Sequence, residues 1–179
     1  MTLADASKKC FITKHGIDVT PCPKPTGTRL LRRIDLTRYI NTNYLYSVDR
    51  YAEVPEQYCV DTPCIVIPSE HGRAIALIPN DGERVYINFK ALVFVIDTDK
   101  VDPMYVEAML NGSTFNYDAD RPPYGVDLER EIEEMKSIEI EDDIEIQKSY
   151  AEPYEDVLKR LAPIYQEATR LERELFEVY

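Results

Sequence analysis

Ser69, Glu70 and His71 are consecutive, and a hydroxyl, a carboxylate and an imidazole are the parts of a nucleophile, an orienter and a base. Neighbours on one short loop cannot converge on a common reacting atom, so covalent catalysis is not expected there. Ser69, His71 and Arg73 read better as a polar fingertip between two apolar runs, Cys64 to Ile67 and Ala74 to Ile78. In a groove of duplex DNA an arginine can donate two parallel hydrogen bonds to guanine, and serine or histidine can reach a base edge. The plain alternative is a solvated turn.

A second group is basic. Lys8, Lys9, Lys14, Arg29, Arg32, Arg33 and Arg38 fall in the first fifty residues, with Tyr39, Tyr44, Tyr46 and Tyr51 interleaved downstream. Such side chains suit a phosphate track, arginine and lysine supplying charge and tyrosine further donors. The chain as a whole carries −12, which opposes a polyanion if the charge is evenly spread. It is not: residues 1–50 hold nine basic and four acidic side chains, and residues 101–150 hold four and fourteen. Screening cuts off charges beyond about 8–10 Å at physiological salt, so a local basic face can still bind DNA, weakly and in a salt-sensitive way. Strand alternation would put Arg29 and Arg33 on one face and Arg32 on the other. Some of these arginines are expected to pair with Asp35 or Asp49.

Other chemical patterns fail on inspection. Asp120-Arg121-Pro122-Pro123-Tyr124 resembles the signature that holds the target amine in amino-methyltransferases, but Arg121 stands where an acceptor should precede the prolines. A rigid turn is the expectation. Glu134-Met135-Lys136 with Asp120 or Asp127 mimics a metal-dependent nuclease triad, yet Leu128 to Lys136 reads as a short acidic helix whose acids face water. Cys10, Cys22, Cys59 and Cys64 show no close pairing, so a zinc site with His15 or His71 is not expected, and no metal or cofactor is assigned. The six glycines form no phosphate loop. No apolar run approaches the roughly 18 residues a membrane span needs, and the N-terminus lacks an apolar signal core, so a cytoplasmic protein is expected.

The elements that must position these residues come next. Thr26 to Leu36 reads as a strand, and Tyr44 to Tyr51 as a less regular extended stretch. Asn80-Asp81-Gly82 signals a hairpin turn between Ile78 and Arg84. Leu92 to Ile96 reads as a fully buried strand. Asp102-Pro103 starts a helix, an N-cap acceptor followed by proline at the first helical position, and Asn111-Gly112-Ser113 ends it. The spacing of Val157, Leu161, Ile164, Ala168, Leu171, Leu175 and Val178 alternates four and three, the pattern of a coiled-coil seam. A helix of about 25 residues is about 37 Å long, more than a small domain easily covers. Pro163 should kink or restart it.

From Asp61 to Asn111 the order is strand, polar loop, strand, turn, aliphatic strand and a helix opening Asp102-Pro103-Met104-Tyr105. This segment resembles the target-recognition domain of type I restriction–modification specificity subunits, where a glycine-containing loop between strands precedes a D-P-x-Y helix. Leu3-Ala4-Asp5-Ala6 is similar to that family's opening turn, Arg29 to Leu36 to its site-reading strand, and Gln147 to its habitual glutamine. Two departures are the loop Pro68-Ser69-Glu70-His71-Gly72, where small residues are usual, and Glu141-Asp142-Asp143, where prolines are usual. The resemblance implies non-catalytic recognition of double-stranded DNA, with methyltransferase and restriction subunits as partners. Such subunits carry two recognition domains; this chain has one, so a homodimer through the C-terminal helix is expected.

The expected fold is α+β: a twisted mixed sheet with short helices over residues 1–143, and a C-terminal helical arm over 144–179. DNA contacts are expected from Lys8, Lys9, Lys14, Arg29, Arg32, Arg33, Arg38, Ser69, His71 and Arg73. The alternative is an acidic protein-interaction or DNA-mimic protein that occupies a nucleic-acid enzyme, motivated by the acidic run from Asp127 to Glu145.

Overall fold

The two uninterrupted apolar runs, Cys64–Pro68 and Ala91–Ile96, become neighbouring strands at the centre of a sheet buried on both faces. The computed structural model describes residues 1–14, 19–22, 28–32, 51–69, 73–112 and 127–177. Among them are strands β1 (Ser7–Thr13), β2 (Thr20–Pro21), β3 (Thr28–Leu31), β4 (Tyr51–Glu53), β5 (Cys59–Val60), β6 (Cys64–Pro68), β7 (Ile75–Leu77), β8 (Val85–Ile87) and β9 (Ala91–Ile96). The helices are α1 (Pro103–Asn111), α2 (Leu128–Lys136) and α3 (Ile144–Glu177).

The architecture is α+β, with two sheets rather than one. The first is antiparallel in the order β1-β9-β6-β7; the second runs β2-β4-β3-β8-β5, and its β3–β8 pair is parallel. Alternation along the central strands explains the layering. Ile65, Ile67, Leu92, Phe94 and Ile96 point to one side, where they meet Met104, Val106, Leu110, Leu128, Ile132 and Met135 of the first two helices. Cys64, Val66, Ala91 and Val93 point to the other, onto Leu31, Val85 and Ile87 of the second sheet. A strand covered on both faces has no polar position to alternate with, hence the continuous apolar runs.

Local signals placed the helix ends. The Asp102 carboxylate accepts from Met104 N at 2.7 Å with Pro103 in the first turn, and Asp127 likewise caps the acidic helix α2. Gly112 follows Asn111 with an extended backbone, where a Cβ would lie 3.2 Å from the Ala108 carbonyl oxygen. The α3 helix continues through Pro153 and Pro163 without restarting. At 1.5 Å per residue its 34 residues extend about 50 Å.

The turn at Asn80-Asp81-Gly82 forms, with Gly82 at φ 71° and Glu83 N donating to Asn80 O at 2.9 Å. The hairpin expected around it does not. β7 stays in the first sheet, while β8 crosses to the second and pairs with β3 and β5. The free edge of β7 is instead met by side chains of α1, described below. Of the stretch Thr26 to Leu36, Thr28–Leu31 is strand. Arg32 follows it, and the rest lies outside the described residues, as does Tyr44 to Tyr51 except Tyr51.

Candidate nucleic-acid interface

Strand register brings several candidate residues to one end of the central sheet. Thr13 pairs with Ala91, and Pro68 pairs with the same Ala91 from the other side. Lys14, Lys90 and Ser69 therefore stand side by side just beyond the strand ends, and Ser69 N donates to Lys90 O at 3.0 Å. Arg73, one residue before Ala74, re-enters at the same end, because Val66 pairs with Ile75. In the second sheet Leu31 pairs with Ile87, and Asn88 N donates to Leu31 O at 2.8 Å, so Arg32 leaves β3 beside Asn88, two residues from Lys90. Lys14, Arg32, Arg73 and Lys90 are exposed, and Ser69 is half-buried. Four cations along one end of the strands, with backbone and hydroxyl donors between them, is a geometry that can hold phosphates.

Other candidates lie elsewhere. Lys8 is at the far end of β1, 3.6 Å from an Asp97 oxygen, and Lys9 lies over the Phe11 ring at 4.8 Å. Arg29 is a correction. Its side chain is only 8% exposed; Nε donates to Glu83 Oε1 at 2.7 Å, and the guanidinium lies 5.2 Å from the Tyr51 ring centre. Arg29 thus ties β3 to the turn before β8 and is not available to a phosphate. The expected partners, Asp35 and Asp49, lie outside the described residues, as do Arg33, Arg38 and His71. Sequence reasoning passed over Lys90; its signal was its place immediately before the aliphatic strand.

A groove of about 610 Å³ separates β1 from α2. Lys14, Lys90 and Lys136 line it, but so do Asp127, Glu129 and Glu133, so its mixed charge gives no anion site of its own. The acids between Asp127 and Glu145 are largely spent locally. Glu133 and Glu134 pair with Lys136 and Arg130. Glu141 Oε1 accepts from Asp142 N and Asp143 N, and Asp143 Oδ1 from Glu145 N.

At the opposite edge of the sheet, α1 meets β7 through polar side chains. Glu107, 1% exposed, accepts from Ala76 N at 2.6 Å and from the Tyr154 hydroxyl at 3.0 Å. Asn111, one turn on, accepts from Ala74 N at 3.0 Å and donates to Ala74 O at 2.7 Å. Its Nδ2 also donates to the Tyr154 hydroxyl at 3.3 Å. Burial raises the Glu107 carboxyl to about 7 against the two hydrogen bonds that lower it. Burial also raises the Tyr154 hydroxyl, with the Glu107 charge adding to it and Asn111 and Arg73 opposing.

The arm has two faces. Gln147, Ala151 and Leu158 are buried against the domain. The Gln147 amide is a junction: Oε1 accepts from Asp102 N at 3.0 Å, and Nε2 donates to Glu141 O at 2.9 Å and Lys100 O at 3.4 Å. Of the expected seam, Val157, Ile164, Ala168, Leu171 and Leu175 are exposed and Leu161 is half-buried. Val178 lies outside the described residues. The apolar stripe also begins earlier than the sequence suggested, with Tyr150 exposed one heptad before Val157.

Among the described residues no three His, Cys, Asp or Glu side chains are grouped to hold a metal ion, and no helix is long and apolar enough to cross a membrane. All four cysteines are free, and burial pushes the Cys64 thiol up to about 12, which makes it inert.

No protein-family model matches the chain, and no curated protein matches it. Solved structures do. The chain is similar in fold to a component of the type I R-M system, from a structure that addresses that system's complex assembly and conformational transition: TM-score 0.56, 11% identity, 99% of this chain and 42% of that one. It is also similar to the HsdS subunit from Thermoanaerobacter tengcongensis, with TM-score 0.56, 12% identity, and 99% and 43% coverage. The chain thus has the fold of an HsdS specificity subunit, as its sequence resemblance implied, and spans less than half the length of those chains.

Proposed function

We propose that this chain is a non-catalytic recognition module that reads double-stranded DNA for a type I-like restriction–modification system. The observation that carries the reading is the fold match over 99% of this chain to under half of an HsdS chain: one recognition unit with one long helix attached. The row Lys14, Arg32, Arg73 and Lys90, with Ser69 among them, supports it as a face that meets phosphates. The phosphate term would fade with salt, and base-edge contacts would add about 1–3 kcal/mol each. A methyltransferase subunit would supply both the chemistry and the positive charge that a −12 chain lacks. The exposed stripe from Tyr150 to Leu175 supports pairing with a second copy, which would restore two recognition units. Like its partners, the module would work in the cytoplasm, and it would carry no cofactor of its own.

Fluorescence polarisation with a pool of labelled duplexes, with and without a type I methyltransferase subunit, tests this. Salt-sensitive binding with a sequence preference is expected. Failure to bind any duplex at low salt with the partner present overturns the reading.

A further inference from the structure

We infer that Glu107, Asn111 and Tyr154 form a positioning relay that ties the start of β7, where Arg73 stands, to the long helix, so that the seating of the arm sets the position of Arg73. The inference rests on the recognition reading above for its consequence, though not for its mechanics.

β7 is three residues long and, among the described residues, lies at the edge of the central sheet with β6 as its strand neighbour. Such a strand frays easily unless its open side is satisfied. Here the satisfaction comes from side chains one helical turn apart on α1. Asn111 grips both backbone groups of Ala74, and Glu107 takes the N–H of Ala76. Ala74 directly follows Arg73, so the grip falls beside it. Glu107 and Asn111 do not end the chain of contacts. Both bond the Tyr154 hydroxyl, which α3 delivers between Ala151 and Leu158, the two residues that seat the arm in the core. The path from Ala74 to the arm is therefore two hydrogen bonds long, through the half-buried Asn111 and Tyr154, with the buried Glu107 beside them. Asn111 and Glu107 would satisfy the β7 edge without involving the arm; sharing the Tyr154 hydroxyl makes the two elements move together.

The test is hydrogen exchange on the full chain, comparing wild type, Tyr154→Phe and Glu107→Gln. Phenylalanine keeps the packing and removes the shared hydroxyl; glutamine keeps an acceptor for Ala76 but puts an amide donor where the Tyr154 hydroxyl needs an acceptor. Tyr154→Phe is expected to speed exchange at Ala74 and Ala76 on the order of tenfold while β9 and α2 stay as protected as in wild type. Glu107→Gln, which breaks the same hydroxyl bond from the other side, is expected to speed exchange at these two amides as well. Unchanged exchange at Ala74 and Ala76 in Tyr154→Phe overturns the inference, as does a uniform rise across the domain, which would mark a merely structural hydroxyl. Duplex pool binding on the same proteins separates the two claims. If wild type shows a preference, Tyr154→Phe should weaken it at least threefold more than it weakens total binding, and an equal loss overturns the inference. If wild type binds no duplex, the recognition reading fails and the exchange result alone decides the relay.

Discussion

The Arg29 guanidinium and the Glu83 carboxylate meet across 54 residues of sequence, with Nε 2.7 Å from Oε1 and both side chains largely buried. The pair joins the start of β3 to the turn that sends the chain from one sheet to the other, and Arg29 N also donates to Arg84 O at 3.1 Å. Removing one partner of a buried pair leaves the other charge poorly compensated. Glu83→Ala should cost about 2–4 kcal/mol of stability, seen as a lower urea midpoint with an unchanged slope. A change within 0.5 kcal/mol would show that Arg29 is satisfied without Glu83.

Glu107 gives the domain a pH dependence of definite sign. Its folded carboxyl titrates near 7 against an ordinary 4.5, so the folded state holds the proton more tightly than the unfolded chain. Stability is then greatest below about 4.5 and is lost as pH rises to about 7. The full loss is on the order of 3 kcal/mol. Glu131 is raised to about 7 as well, by burial and then by Glu134, and adds in the same direction. The difference between wild type and Glu107→Gln isolates Glu107: the variant should gain on wild type between those pH values and keep the gain at pH 8. Parallel stability curves would refute the assignment.

Gln147→Leu keeps the volume of a fully buried side chain and strands three backbone groups, Asp102 N, Lys100 O and Glu141 O. A loss of about 2–4 kcal/mol in thermal or urea unfolding is expected. Less than 1 kcal/mol would mean that water replaces the amide.

The two faces of α3 should separate cleanly. Ile164→Glu with Leu171→Glu changes side chains 63% and 51% exposed. It should leave the melting curve of dilute protein unmoved while abolishing self-association in sedimentation. Leu158→Ala, on the buried face, should cost about 2–4 kcal/mol. A dimer that persists in the double variant would remove the seam as its interface.

Duplex binding should distinguish the two ends of β1. Alanine at Lys14, Lys90 or Arg73 is expected to lower the slope of log affinity against log salt by about 1 each. Lys8→Ala, at the far end and beside Asp97, should leave it unchanged. Equal losses at Lys8 and Lys14 would mean that the row is not the phosphate face.

Much of the fold was legible because its signals are local. Doubly buried strands read as unbroken apolar runs at β6 and β9, Asp102-Pro103 capped a helix where a cap was expected, Leu128 to Lys136 formed the acidic helix expected of it, and the apolar spacing from Val157 marked a bare helical stripe. What the sequence could not settle was which groups meet across long separations. The turn at Asn80-Asp81-Gly82 fixes a reversal but not the strand partners on either side, which depend on side chains of α1 covering the edge of β7. A run of arginines fixes charge but not exposure; Glu83 turned Arg29 inward, while register alone gathered Lys14, Lys90, Ser69 and Arg73 at one sheet end. Periodicity and capping are properties of neighbours in the chain, whereas burial and pairing of charge are properties of neighbours in space, and only folding decides those.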